Sequence, residues 1–139
     1  MNSQAIGVDL GGVNSCVSVF RNGKIEIIHN ESGGKKTQCY VAFTDEEILI
    51  GETAKNQLKN NPKNTIFYLE RLIGRKYEEI KRQEILKNCP FKIIKDEVSD
   101  KPKIQITCNN EEKKYYPEDI LSMILKKLKQ NASDYWGMK

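Results

Sequence analysis

Histidine and tryptophan each occur once in the 139 residues, proline four times, and no apolar run approaches the roughly 20 residues needed to span a bilayer. With His29 as the lone imidazole, no Ser/His/Asp hydrolytic set can be assembled. Zinc is not expected either, because Cys16, Cys39, Cys89 and Cys108 are widely spaced and form no Cys-x-x-Cys pair. The four cysteines read as buried or half-buried free thiols of a reducing compartment. A secretory h-region is missing too, since Met1-Asn2-Ser3-Gln4 leads straight into a strand-like segment, which predicts a cytoplasmic or nuclear protein. Neither Gly-x-x-x-x-Gly-Lys-Ser/Thr nor the dinucleotide fingerprint is present. Charge of one sign is scarce in excess, with 23 Lys+Arg against 19 Asp+Glu for a net +4. Apart from lysine-rich stretches such as Lys126-Lys127-Leu128-Lys129, which read as a solvated helix face, the charges are dispersed. A nucleic-acid groove, which needs clustered Arg with interleaved aromatics, is therefore not expected.

What remains is 38% hydrophobic and 30% charged residues, enough for a modest core in one domain or a piece of a larger one. The opening reads as a three-strand meander built from Ala5-Ile6-Gly7-Val8-Asp9-Leu10, from Ser15-Cys16-Val17-Ser18-Val19-Phe20 and from Lys24-Ile25-Glu26-Ile27-Ile28. Asn22-Gly23 between the second and third runs predicts a tight hairpin, because both residues tolerate positive φ. Residues 30–36 read as a loop, and Cys39-Tyr40-Val41-Ala42-Phe43 and Ile48-Leu49-Ile50 as short strands. Helices are predicted over 52–59, after Asn64-Thr65 (Ile66, Leu69, Leu72 and Ile73 forming the apolar stripe and Gly74 the stop), and over 78–87. Phe91-Lys92-Ile93-Ile94 and Lys103-Ile104-Gln105-Ile106-Thr107-Cys108 alternate as strands, with Lys113-Lys114-Tyr115-Tyr116 returning beside the second. The final helix opens at Pro117 with acids in its first turn and lysines further on. Its apolar face is read as Ile120, Ile124, Leu128 and Tyr135, joined by Leu121 and Met123, and Gly137 ends it. Tyr115, Tyr116, Tyr135 and Trp136 read as core or cap residues.

One constellation carries chemistry. In Asp9-Leu10-Gly11-Gly12-Val13-Asn14, glycines between two strands let backbone N–H groups approach an anion, and Asp9 at the strand end can hold magnesium through water. The same spacing equally describes an ordinary hairpin turn with an exposed aspartate. Gly33-Gly34-Lys35-Lys36 reads as a flexible basic loop or an anion grip, and Glu70-Arg71 as a solvated pair.

Four stretches together resemble the seventy-kilodalton heat-shock chaperones: Ile6-Gly7-Val8-Asp9-Leu10-Gly11, Tyr40-Val41-Ala42-Phe43-Thr44, Ile50-Gly51-Glu52-Thr53-Ala54-Lys55-Asn56-Gln57 and Arg71-Leu72-Ile73-Gly74-Arg75. Asn61-Pro62-Lys63-Asn64-Thr65, Pro90-Phe91, Lys101-Pro102-Lys103 and Tyr116-Pro117-Glu118-Asp119-Ile120 extend the likeness. The resemblance implies an α+β, actin-like (ribonuclease H-like) ATPase fold, present only in its N-terminal part. Residues 1–37 correspond to the lower-subdomain meander with its phosphate turn, 38–115 to the inserted upper subdomain, and 116–139 to the helix returning to the lower one.

By that resemblance the cofactor is ATP or ADP with magnesium, and Asp9, Gly11, Gly12, Val13 and Asn14 are the binding positions, Asp9 serving the metal through water. The family's Thr-Thr after Asp-Leu-Gly is here Gly12-Val13, which removes two hydroxyls near the phosphates. Glu70, beside Arg71, stands where the family has the lysine that positions the attacking water. Lys36 stands for a threonine and Gln38 for a proline. The expectation is a degenerate, hydrolysis-incompetent part of a chaperone ATPase domain. The alternative is a module that binds a co-chaperone or nucleotide-exchange factor without nucleotide chemistry. Incomplete cover of the lower sheet also predicts self-association through exposed apolar surface.

Overall fold

A computed structural model describes residues 4–137. Strands β1 (Ile6–Leu10), β2 (Asn14–Arg21) and β3 (Lys24–Ile27) form the antiparallel meander, and β4 (Thr37–Gln38) pairs with the start of β2. Positive φ at Asn22 (51°) and Gly23 (73°) makes the β2–β3 connection the tight turn that the Asn-Gly dipeptide predicts. Along β2, Ser15, Val17 and Val19 alternate into the core while Phe20 faces outward, 73% exposed.

A second sheet runs β6 (Ile48–Ile50), β5 (Val41–Phe43), β7 (Thr65–Ile66), and a third runs β10 (Glu111–Tyr115), β9 (Pro102–Cys108), β8 (Lys92–Lys95). In β9 the alternation is strict, with Pro102, Ile104, Ile106 and Cys108 buried. Short helices α1 (Glu52–Asn56), α2 (Tyr77–Lys81) and α3 (Glu84–Lys87) decorate these sheets. The long helix α4 (Pro117–Tyr135) crosses all three. Pro117 occupies its first turn, and Asp119 Oδ2 accepts from the Tyr116 N–H at 2.9 Å, satisfying a donor at the helix start. No helix among the described residues is long and apolar enough to cross a membrane.

Several sequence expectations need correction. The helix expected after Asn64-Thr65 is absent: Thr65 and Ile66 pair with Ala42 and Val41, Tyr68 sits in the left-handed region at φ 59°, and a 3-10 turn follows over Leu69–Arg71. Ile66, Leu69 and Leu72 are buried by this reversal, so a helix-like spacing arises without a helix. The helix expected over 78–87 breaks at Arg82-Gln83, where Gln83 Nε2 donates instead to the Arg71 carbonyl at 3.1 Å. The one expected over 52–59 ends at Asn56, and the strand expected from Cys39 begins only at Val41. In α4, Ala132 takes the core position assigned to Tyr135, which is 40% exposed. Tyr115 stacks on Phe43 at 5.0 Å, as a core aromatic.

One cluster has no local signature. Asp96, buried where β8 ends, receives Lys103 Nζ at 2.7 Å, the Ser99 hydroxyl at 2.6 Å and backbone N–H at 3.1 Å, and the Tyr116 hydroxyl at 3.2 Å. Lys103 and these donors hold the Asp96 carboxyl well below the usual carboxylate range. The stabilisation is therefore complete above the unfolded-chain value of about 4 and fades as pH falls below it. In urea melts between pH 2 and 7, Asp96→Asn should lower the midpoint at neutral pH and flatten the slope below pH 4 relative to the parent chain; parallel slopes would refute the assignment.

Candidate phosphate turn and its neighbours

β1 and β2 are joined through a bend at residues 11–13, with Asp9 opposite Cys16 and Leu10 opposite Ser15 in the ladder. Gly11 is required by space: a Cβ there would lie 2.3 Å from the Asn14 carbonyl oxygen. Asp9 is exposed on the strand, Val13 is 64% exposed, and Asn14 starts β2 opposite Gln38. Asp9, Gly11, Gly12, Val13 and Asn14 thus form one continuous surface feature.

Beneath it lies a contact that no sequence pattern announced. Cys39 is 4% exposed, its N–H donates to the Val13 carbonyl at 2.9 Å, and its thiol donates to the Gly11 carbonyl at 3.1 Å. The Ser15 hydroxyl sits 3.0 Å from the same sulfur. Burial pushes the Cys39 thiol up, the Ser15 hydroxyl pulls it partly back, and the Glu70 carboxylate adds to the rise. The thiol is therefore a protonated, unreactive peg under the turn. All four cysteines are free, two buried and two half-buried, as expected.

Glu70 reaches the turn from the 3-10 segment. A Cβ placed on Gly12 would meet the Glu70 carboxyl carbon and Oε1 at 3.0 Å, so the carboxylate rests directly against Gly12. Arg71 Nε lies 3.8 Å from Glu70 Oε1 with both side chains nearly half exposed, too loose and too wet to neutralise it. The Arg71 guanidinium instead covers the Tyr68 ring at 5.9 Å.

The neighbouring loop is organised by Asn30. Its Oδ1 accepts from the Ser32 and Gly34 N–H groups at 3.0 and 2.9 Å, and its Nδ2 donates to the Lys36 carbonyl at 2.8 Å. Lys35 and Lys36 are exposed on this loop, which carries no helix or strand, as the sequence reading expects.

Asp9 near the end of β1 and the Gly11-Gly12 bend thus make one surface turn, held from below by Cys39 and flanked by Glu70. The family follows from comparison. The Hsp70 protein family model matches residues 5–139. The chain is 48% identical over 133 residues to a heat shock 70 kDa protein of Trichophyton rubrum, covering 96% of this chain and 20% of that one. Identity is also 48% over 133 residues to heat shock cognate 70 kDa protein 3 of Dictyostelium discoideum, covering 96% of this chain and 21% of the relative. The chain therefore belongs to the Hsp70 family, whose ATPase domain has the actin-like fold, and it spans about a fifth of the length of these relatives.

Proposed function

We propose that this chain corresponds to the N-terminal part of a chaperone ATPase domain whose phosphate turn no longer supports ATP hydrolysis. The observation that carries this reading is the Glu70 carboxylate lying against Gly12. The family's ATPase domain binds ATP or ADP with magnesium, and the residues at this turn do not fit that group. The Glu70 carboxylate puts a negative charge directly beside the glycine of the turn, which an incoming phosphate would meet as repulsion. Val13 offers no side-chain donor, Asp9 supplies a single exposed carboxylate, and the Arg71 guanidinium pairs with Glu70 only loosely, at 3.8 Å and half exposed. Two like charges about 4 Å apart repel by roughly 1–4 kcal/mol between water-like and surface-like dielectric.

Calorimetric titration of the 139-residue chain with magnesium-ATP should give no saturable heat at micromolar concentrations. Clear binding there would overturn the reading. The alternative of a partner-binding module, built on residues 38–115 as the upper subdomain, is supported by the closed packing of Phe91, Ile104 and Ile106 around the third sheet. Retention of a purified nucleotide-exchange factor on the immobilised chain would favour it, and no retention would count against it.

A further inference from the structure

We propose that the cavity between the end of β3 and the last turns of α4 binds the guanidinium of an arginine side chain presented by another chain. Asn131 carries the inference. It follows Leu128 by three residues on the buried face of α4 and is itself only 5% exposed, yet its carboxamide has no hydrogen-bond partner among the described residues. The bonds formed around it pass it by: Gln130 Nε2 donates to Asp134 Oδ1 at 2.7 Å, and the Ser133 hydroxyl donates to the Lys129 carbonyl at 3.1 Å. A buried carboxamide left unpaired costs free energy, which calls for a partner from outside the chain. Asn131 lines a cavity of about 240 Å³ together with His29, Asn30, Glu31, Asp134 and Tyr135. It also borders a void of about 30 Å³, room for one water, and one water cannot satisfy two donor hydrogens and an acceptor oxygen together.

The walls select a cation with several donors. Glu31 accepts from Lys127 Nζ and Asp134 from Gln130, each through one oxygen, so each carboxylate keeps a second oxygen for a ligand. Glu26, in β3, accepts from the Tyr135 hydroxyl and fixes that ring at the cavity, with Arg21 beside it. Three carboxylates, Glu26, Glu31 and Asp134, thus stand against two cations, Arg21 and Lys127, and with His29 neutral this leaves one negative charge for one incoming cation. A guanidinium meets the remaining features as an ammonium does not. Its planar fork can donate to a carboxylate and to the Asn131 carboxamide oxygen at once, and its face can stack on the Tyr135 ring, which is 40% exposed. The cavity lies on the β3 side of α4, between segments 29–31 and 131–135, and uses no residue of the Asp9–Asn14 turn. It therefore stands or falls independently of the proposed loss of hydrolysis.

Titration of the isotope-labelled chain with Nα-acetyl-arginine amide, followed by NMR, should shift the Asn131 side-chain amide and the Glu31 backbone amide saturably. The dissociation constant should be roughly 1 mM, the scale for a ligand of about 15 heavy atoms. Nα-acetyl-citrulline amide has the same shape without the charge, and Nα-acetyl-lysine amide the charge without the fork; each should bind at least ~10-fold more weakly. Asn131→Ala should weaken arginine at least ~10-fold, read at the Glu31 amide. Asp134→Asn, on the exposed side of the helix and harmless to the fold, should weaken it about 3-fold. No saturation by about 20 mM, citrulline or lysine amide binding as tightly as arginine amide, or full arginine binding by both Asn131→Ala and Asp134→Asn would each overturn the proposal.

Discussion

Ile124→Ala is expected to cost about 2–5 kcal/mol, the range for emptying a fully buried isoleucine site, out of the 5–15 kcal/mol that separates a small domain from its unfolded chain. Ile120, Ile124 and Leu128 are all fully buried and follow one another at four-residue spacing, with Ala132 continuing the stripe. That stripe meets β1 and β2 of the first sheet, β5 and β6 of the second and β9 of the third. A cavity at Ile124 therefore loosens the element that ties the three sheets together, and the whole fold should lose stability as one unit. Lys129→Ala, on the exposed side of the same helix, should stay within about 0.5 kcal/mol. Urea unfolding followed by circular dichroism compares the two. A cost below about 1 kcal/mol at Ile124 would mean that α4 is not integrated with the sheets.

Where the sequence was readable, the signal was local. Asn22-Gly23 marks its turn because two adjacent residues accept positive φ, and β9 and α4 show themselves because burial follows one uninterrupted period along each. Residues 65–73 defeated the same reasoning. There the buried Ile66, Leu69 and Leu72 sit at helical spacing, yet a left-handed Tyr68 and pairing of Thr65 and Ile66 with β5 bury them by a chain reversal. The Asp96 cluster gathers partners from β9 and the start of α4, and no window of sequence contains them all. At the candidate site the division is similar: the Asp9–Asn14 turn was visible as glycine between strands, whereas the Cys39 peg and the approach of Glu70 to Gly12 depend on β4 and the 3-10 segment folding back onto it.

Glu70→Lys is the substitution with the largest expected consequence for activity, provided it is measured where the rest of an ATPase domain is present. A chimera carrying residues 1–139 of this chain, completed by the remaining ATPase domain of the Dictyostelium relative, should gain at least ~100-fold in phosphate release from Glu70→Lys combined with Gly12→Thr and Val13→Thr. That is the usual scale for restoring a charge-stabilising group. The three changes are coupled by geometry. A threonine at position 12 places its Cβ 3.0 Å from the Glu70 carboxyl, so Gly12→Thr alone must push the Glu70 side chain aside, and its benefit appears only once Glu70 is gone. Glu70→Lys should carry most of the gain, because it exchanges a repulsion of roughly 1–4 kcal/mol for an attraction, whereas each hydroxyl adds a hydrogen bond of about 0.5–1.5 kcal/mol. In the 139-residue chain the same triple variant should remain without turnover, because the three substitutions change only the phosphate end of the site. If the chimera bearing Glu70 releases phosphate as fast as its Glu70→Lys counterpart, the carboxylate does not face the phosphates, and the turn has lost no catalytic capacity through it.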